Sequence, residues 1–308
     1  GCNPLFIVEV LKILYDKEIL FYRDSRWQLT ADRLDEILVP QKFVDLLAPR
    51  IAGLDQAEAH ILKILAVADH PLQPAVINKI TDSDLDMPLE NLKSMGLIRE
   101  DTVTGQRVAM VASKMIADYV THETPTEESR SIRKALIKAI ETIVPDERSY
   151  AQLLADLYEA TGSVDNACTH LKLAAARAEE IYDYQKALGY YERITKYRKH
   201  SDAKEFATIL IKIGEINQIL GDNAAGTKYY HEALKFSNED IAARAYSGLG
   251  KIALAAGKHD DAISCFDRGL IKPKENTREY VKTANQLGYV YIQAKRFNDA
   301  KDIFLESL

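Results

Sequence analysis

Gly250-Lys251-Ile252-Ala253-Leu254-Ala255-Ala256-Gly257-Lys258-His259-Asp260-Asp261-Ala262-Ile263-Ser264-Cys265-Phe266 is the stretch that decides how the second half of this chain folds. A helix-like run breaks at Gly257-Lys258 and a second run begins. A small residue stands at Gly250, another twelve positions later at Ala262, and an aromatic four beyond that at Phe266. The same spacing joins Gly214, Gly226 and Tyr230, and again Gly288, Ala300 and Phe304. These segments share little else. Fixed spacing of small and large residues across unlike helices predicts stacked α-hairpins, because one hairpin buries its apolar face only against the next. Gly162, Gly221 and Gly257 fall where helices should end, the place for left-handed backbone. Two earlier units, around Ala167/Leu171 and Ala187/Tyr191, fit the pattern less well and predict an irregular start to the array.

Outward from that array, residues 123–148 read as a connector: His122 to Glu128 holds Pro125 and several acids, and a polar-faced helix carrying Ile132, Leu136, Ile137 and Ile140 ends before Pro145. Residues 55–122 predict three short helices, marked by Ile61/Leu62/Leu65, Val76/Ile77/Ile80 and Leu89/Leu92, and then two strands around Thr104-Gly105. That order is a winged helix in outline. In residues 1–54, Asn3-Pro4 suits a helix start, Asp24-Ser25 a hairpin turn, and Pro49 predicts a kink in the helix that follows Pro40. The expected fold is mainly α: a winged-helix domain with small β-hairpins, followed by an α-solenoid over residues 149–308.

A length of 308 residues fits about two domains. The net charge of −6 gives no pull towards nucleic acid or anionic membrane. Cys2, Cys168 and Cys265 are isolated and odd in number, which suits a reducing compartment, so a cytoplasmic protein is expected. No apolar run reaches the roughly 18 residues that span a bilayer. The chain begins without Met and stops at Leu308 inside a helical repeat, and so reads as a piece of a longer protein.

The repeats at Gly214, Gly250 and Gly288, with Ala262/Phe266 and Ala300/Phe304, resemble tetratricopeptide (TPR) motifs, although their 36- and 38-residue periods are slightly longer than usual. The opening Gly1-Cys2-Asn3-Pro4-Leu5-Phe6 resembles the GNPLF segment of STAND NTPases, signal-transduction ATPases related to AAA+ proteins, with Cys2 standing at the usual glycine. The order of parts is similar to that of maltose-regulon activator-like regulators and of the ATPase–TPR portions of bacterial multidomain kinases and cyclases. The resemblance implies a regulatory, protein-binding part of such an ATPase. Pro4 would then lie near the nucleotide, and the ATP- or ADP-binding core would lie upstream in the same chain. This portion would contain no cofactor and hydrolyse nothing. The alternatives are a stand-alone TPR adaptor and a DNA-binding regulator.

Other constellations fail on chemistry. Gly221 to Lys228 resembles a phosphate loop, but Thr227 precedes Lys228 where the order must be Lys then Ser/Thr, and no strand leads into it. Asp82, Asp84 and Asp86 start like a calcium loop, but Met87 and Lys93 occupy the positions that need Gly and Glu. The seven histidines show no zinc spacing, and no nucleophile motif is present. No catalytic or metal site is expected. The third winged-helix segment carries Asp86 and Glu90 against Lys93, a poor match for phosphates, so nucleic acid is disfavoured as a partner. A protein or peptide on the concave, first-helix face is expected instead. The outward positions of those helices are Ile211, Glu215, Gln218, then Arg244, Ser247, Lys251, then Lys282, Asn285 and Tyr289. Of these, Glu215, Gln218, Arg244, Lys251, Lys282, Asn285 and Tyr289 are the candidate partner-binding residues. Arg244, Lys251 and Lys282 give the groove local positive charge, suited to an acidic peptide.

Overall fold

The computed structural model describes residues 20–23, 26–30, 43–103, 105–144, 147–197, 203–236, 239–270 and 277–307, with Leu11, Leu14 and Tyr15. Pro4 and the helix expected after Asn3 lie outside the described residues. The chain divides into two compact units, Gly1–Pro145 and Asp146–Leu308.

In the first unit, strands β1 (Leu20–Arg23) and β2 (Arg26–Leu29) pair antiparallel, with Tyr22 opposite Trp27. Helix α1 (Phe43–Ala52) contains Pro49, which has no N–H to return to the preceding turn. Helices α2 (Gln56–Ala68), α3 (Pro74–Thr81) and α4 (Asp86–Ser94) follow, then the antiparallel strands β3 (Ile98–Val103) and β4 (Gln106–Val111). Leu72, between α2 and α3, bridges to Ala109 of β4. A reciprocal capping box starts α2: the Glu58 N–H donates to Asp55 Oδ1 at 2.8 Å and the Asp55 N–H to Glu58 Oε2 at 3.1 Å. The Asn91 amide donates to the other oxygen of Glu58 at 2.9 Å, tying α4 to the same helix end. Helix α2 packs on α3 and α4, and Ile61, Leu62, Ile64, Leu65, Leu72, Ile77, Leu89 and Leu92 are all buried from water. Asp84 Oδ1 accepts the Asp86 N–H, so this aspartate cluster shapes the entry to α4. Helix α5 (Lys114–Glu123) is capped by Ser113, and α6 (Thr126–Ile143) follows after Thr124-Pro125. Helix α6 is the polar-faced helix expected before Pro145. It packs on α2 and α3, with Lys63 Nζ 2.8 Å from Glu128 Oε1.

The second unit is helical throughout its described residues: α7 (Ala151–Thr161), α8 (Val164–Glu180), α9 (Tyr184–Tyr197), α10 (Ala203–Ile219), α11 (Asn223–Ala233), α12 (Glu239–Ala255), α13 (His259–Gly269), α14 (Thr277–Gln293) and α15 (Phe297–Glu306). Each helix packs on its chain neighbours, and α10 touches α12 as α12 touches α14. This is an α-hairpin solenoid in which successive first helices form one row.

The register of the hairpins has a physical cause. A Cβ added at Gly250 would come 2.6 Å from the Phe266 ring, and one at Gly288 would come 2.4 Å from Phe304. Tyr230 is wedged between two glycines: an added Cβ would meet its ring at 2.7 Å from Gly214 and at 2.3 Å from Gly248. The aromatics of α11, α13 and α15 thus lie against first helices that have no side chain at the point of contact. Seven residues after each of these register glycines the chain turns left-handed, at Gly221 (φ 86°), Gly257 (φ 72°) and Lys295 (φ 59°). In each turn the next N–H reaches back five residues to close a Schellman motif, as from Asp222 to the Asn217 carbonyl at 2.9 Å and from Arg296 to that of Tyr291 at 2.7 Å.

The start of the array keeps the same spacing with weaker marks, and its crowding is the irregular start that the sequence predicts. Ala175, Ala187 and Tyr191 repeat the spacing with alanine in the place of glycine, and Tyr182 (φ 60°) takes the left-handed position. Ala155, Ala167 and Leu171 repeat it once more, with Gly162 (φ 83°) at the turn. The Schellman bonds recur from Asp183 to Ala178 at 2.8 Å and from Ser163 to Tyr158 at 2.9 Å. The crowding arises because α8 is used twice, as second helix to α7 and first helix to α9. Ala155, Leu171, Ala175, Ala187 and Tyr191 share one core cluster there.

Candidate partner-binding surface

The first-helix row, α8, α10, α12 and α14, carries the residues that the sequence singles out. The structure divides them into two groups. Glu215 and Arg244 are bound to one another across α10 and α12, Arg244 Nη2 lying 3.3 Å from Glu215 Oε1. Gln218 accepts the Tyr230 hydroxyl at 3.2 Å. These three side chains hold the array together. Ile211 and Ser247, expected to face outward, are buried: Ile211 lies inside the core around Tyr230, and Ser247 donates to Gln286 Oε1 at 3.2 Å. A first helix is covered by its own second helix and by first helices on either side, which leaves a narrower open stripe than on a helix packed on one face.

Lys251, Lys282, Asn285 and Tyr289 are brought together instead. With Gln286 they edge a cleft of about 900 Å³ between α12 and α14, whose floor includes Leu254, Phe266 and Val281. Tyr289 is 54% exposed. Lys282 pairs with Glu279 one turn earlier at 3.3 Å. No carboxylate among the described residues bonds the half-buried Lys251 ammonium. Burial, and then the like charge of Lys282, hold its pKa below the ordinary lysine value.

Phe266 reads from the sequence as a core aromatic and Leu254 is not singled out there, yet the repeat contains a signal for the pair. Four positions after the register residue stand Glu179, Gln218, Leu254 and Ile292. Twelve further on stand Tyr191, Tyr230, Phe266 and Phe304. The Tyr191 hydroxyl donates to Glu179 Oε1 at 2.6 Å, and Lys212 Nζ lies 2.9 Å from Glu179 Oε2. Burial and then the Glu179 hydrogen bond push the Tyr191 pKa upward, so it stays a donor. Where the aromatic has no hydroxyl, its partner position has no acceptor. The polar pair of the early hairpins becomes the apolar pair Leu254/Phe266, which leaves a greasy floor beneath the two lysines.

The turn from Gly221 to Lys228 is the link from α10 into α11, with Asp222 Oδ1 capping the Ala225 N–H at 2.9 Å. In the first unit the charges beside α4 neutralise each other. Glu100 binds Lys93 at 3.0 Å and Arg107 at 2.6 Å, and Asp86 and Glu90 both lie 4.0 Å from Arg107. Among the described residues no group of three His, Cys, Asp or Glu side chains is placed to hold a metal ion. No described helix is long and apolar enough to cross a membrane.

No protein-family model matches the chain, and no curated protein matches it. Solved structures with a related course of chain include BtubC (BKLC) from P. vanneervenii, 17% identical over 76% of this chain and 90% of that one, with a TM-score of 0.45. A signal transduction ATPase with numerous domains (STAND) from Pyrococcus horikoshii, which carries a tetratricopeptide-repeat sensor, is 15% identical over 87% of this chain, with a TM-score of 0.40. This chain spans 46% of that protein's length. The MamA protein is 16% identical over 52% of this chain and 90% of its own, with a TM-score of 0.37.

Proposed function

We propose that the chain is the non-catalytic, partner-binding part of a STAND-type signalling ATPase. A protein held on the first-helix row of its TPR-like array would bias the first unit, and through the segment around Pro4 the nucleotide core. The observation that carries the partner-binding half of this reading is the cleft between α12 and α14. It is open and apolar-floored, and it is edged by Lys251, Lys282, Asn285 and Tyr289 while the equivalent residues upstream are consumed in internal bonds. The Leu72–Ala109 bridge supports reading residues 55–122 as a winged helix, since it ties the segment between α2 and α3 to the free edge of β4. The internal pairing of Lys93 and Arg107 suits that module to contact with protein and not with DNA, which needs several uncommitted cations. The coupling is a reciprocal free energy between two sites. Its test is the nucleotide affinity of the full-length protein with and without residues 149–308. A change in affinity is expected, and equal affinities would refute the coupling. The second reading, a TPR adaptor, is favoured by one observation: every residue lining the cleft belongs to the second unit. Equal affinities together with retained partner capture by residues 146–308 would decide for it.

A further inference from the structure

We propose that the cleft between α12 and α14 takes an internal acidic–apolar segment of a partner protein, with a carboxylate side chain between Lys251 and Lys282 and a bulky apolar neighbour on Leu254 and Val281, above Phe266. The inference rests on reading the array as a protein-binding surface and adds the class of sequence that this part of it selects. Three observations converge. The cleft is large enough, at about 900 Å³, for two or three side chains and has an apolar floor. Phe266, fully buried against Gly250, is held rigid and gives that floor a fixed shape. The two ammonium groups raise each other's energy on the same rim, and only Lys282 has a carboxylate bonded to it among the described residues. An incoming carboxylate would relieve the repulsion and supply Lys251 with a partner. Asn285 and Gln286 stand beside them as amides able to bond the peptide backbone. The apolar floor selects against a hydrated anion alone, and the lysines select against a purely apolar segment.

The probe is a fluorescein-labelled twelve-residue peptide, acetylated and amidated at its ends, alternating Asp with Phe and Leu on a Gly/Ser background. Binding to the whole chain is followed by fluorescence anisotropy at fixed salt. Saturable binding is expected, weakened by about tenfold or more in Lys251→Met and in Lys282→Met. Similar loss is expected with Asn in place of Asp and with Ala in place of Phe and Leu. Lys251→Arg should restore binding. Affinity for the wild type should fall as pH rises through the depressed Lys251 value, and Lys251→Arg should lose that dependence, which a merely structural effect would not produce. A peptide with Asn for Asp but a free C-terminal carboxylate should bind no better than its amidated form; better binding would mean that the cleft reads chain ends, and would overturn the internal-segment proposal. So would absence of binding, equal binding of the Asn peptide, or unchanged affinity in both Met variants. Amide exchange separates the two levels of inference: protection elsewhere in residues 146–308 would sink the cleft and leave the array a protein-binding surface.

Discussion

A single methyl group at residue 248 should loosen the whole array. Tyr230 is 1% exposed and lies between Gly214 and Gly248, where an added Cβ would stand 2.3 Å from the ring at position 248. Two effects of Gly248→Ala oppose each other. Alanine is favoured over glycine inside a helix by about 0.8–1 kcal/mol. Overpacking a filled core costs about 1–3 kcal/mol, occasionally more. The ring cannot swing aside, because Gly214 backs its other face and its hydroxyl is bonded to Gln218. The upper part of the cost range therefore applies, and the net loss should be about 1–2 kcal/mol. In a unit of this size each kcal/mol moves the melting point by about 2–4 °C, so a fall of about 2–8 °C is expected in a circular-dichroism melt. Gly189→Ala is the matched control. Gly189 is helical and exposed in α9, with nothing within 4 Å of an added Cβ, so only the propensity gain remains. It should melt about 2–4 °C higher than the parent. If Gly248→Ala also melts at or above the parent, the ring is not pinned by the missing side chains and the packing account of the repeat is wrong.

The polar pairing of the early hairpins gives a second test. Glu179→Leu leaves the buried Tyr191 hydroxyl without its acceptor and should cost about 1–2 kcal/mol in urea unfolding. Adding Tyr191→Phe recreates the Leu254/Phe266 pair and should recover most of that loss. Lys251→Met should raise the melting point of the unliganded protein at pH 7. Lys251 titrates below 10.5 when folded, so the penalty of its charge is present in full below that depressed value. The advantage of methionine should shrink as pH climbs towards 10.5; an advantage constant with pH would mean the gain is packing alone. In a gel-shift with duplex DNA at low salt the chain should not bind, because Lys93 and Arg107 are held by Glu100. Tight, salt-sensitive binding would reverse that reading.

The hairpin array was legible where glycine marked it. Gly214, Gly250 and Gly288 stand out because a helix interior tolerates glycine poorly, so its recurrence requires a packing reason. Ala175 and Ala155 hold the same register but are ordinary helix residues, and nothing in composition separates them from their neighbours. The same limit hid α8: a helix shared by two hairpins presents small residues on two faces, and a periodic search reads it as two poorly spaced units. The misplacement of Ile211 and Ser247 has another origin. Counting by 3.6 residues locates a face but not its width, and the width is fixed by how many helices converge on it. Glu215, Gln218 and Arg244 were legible as polar residues on the first-helix face, but their use in bracing the array depends on Tyr230 and on the neighbouring helix, both distant in sequence. In the first unit, the Asp55/Glu58 cap and the three-helix order follow from local chemistry. The Leu72–Ala109 bridge joins residues 37 apart and has no local mark.

Helix α8 has a consequence for how such an array can change length. Duplicating or deleting a complete hairpin is harmless where each unit owns both of its helices, as downstream of α9. At α8 the cut would take one rod from two owners, stranding α7 or α9 with its small-residue seam bared to water. Lineages of this protein should therefore gain and lose repeats only on the far side of that joint, with the opening trio inherited as one indivisible block.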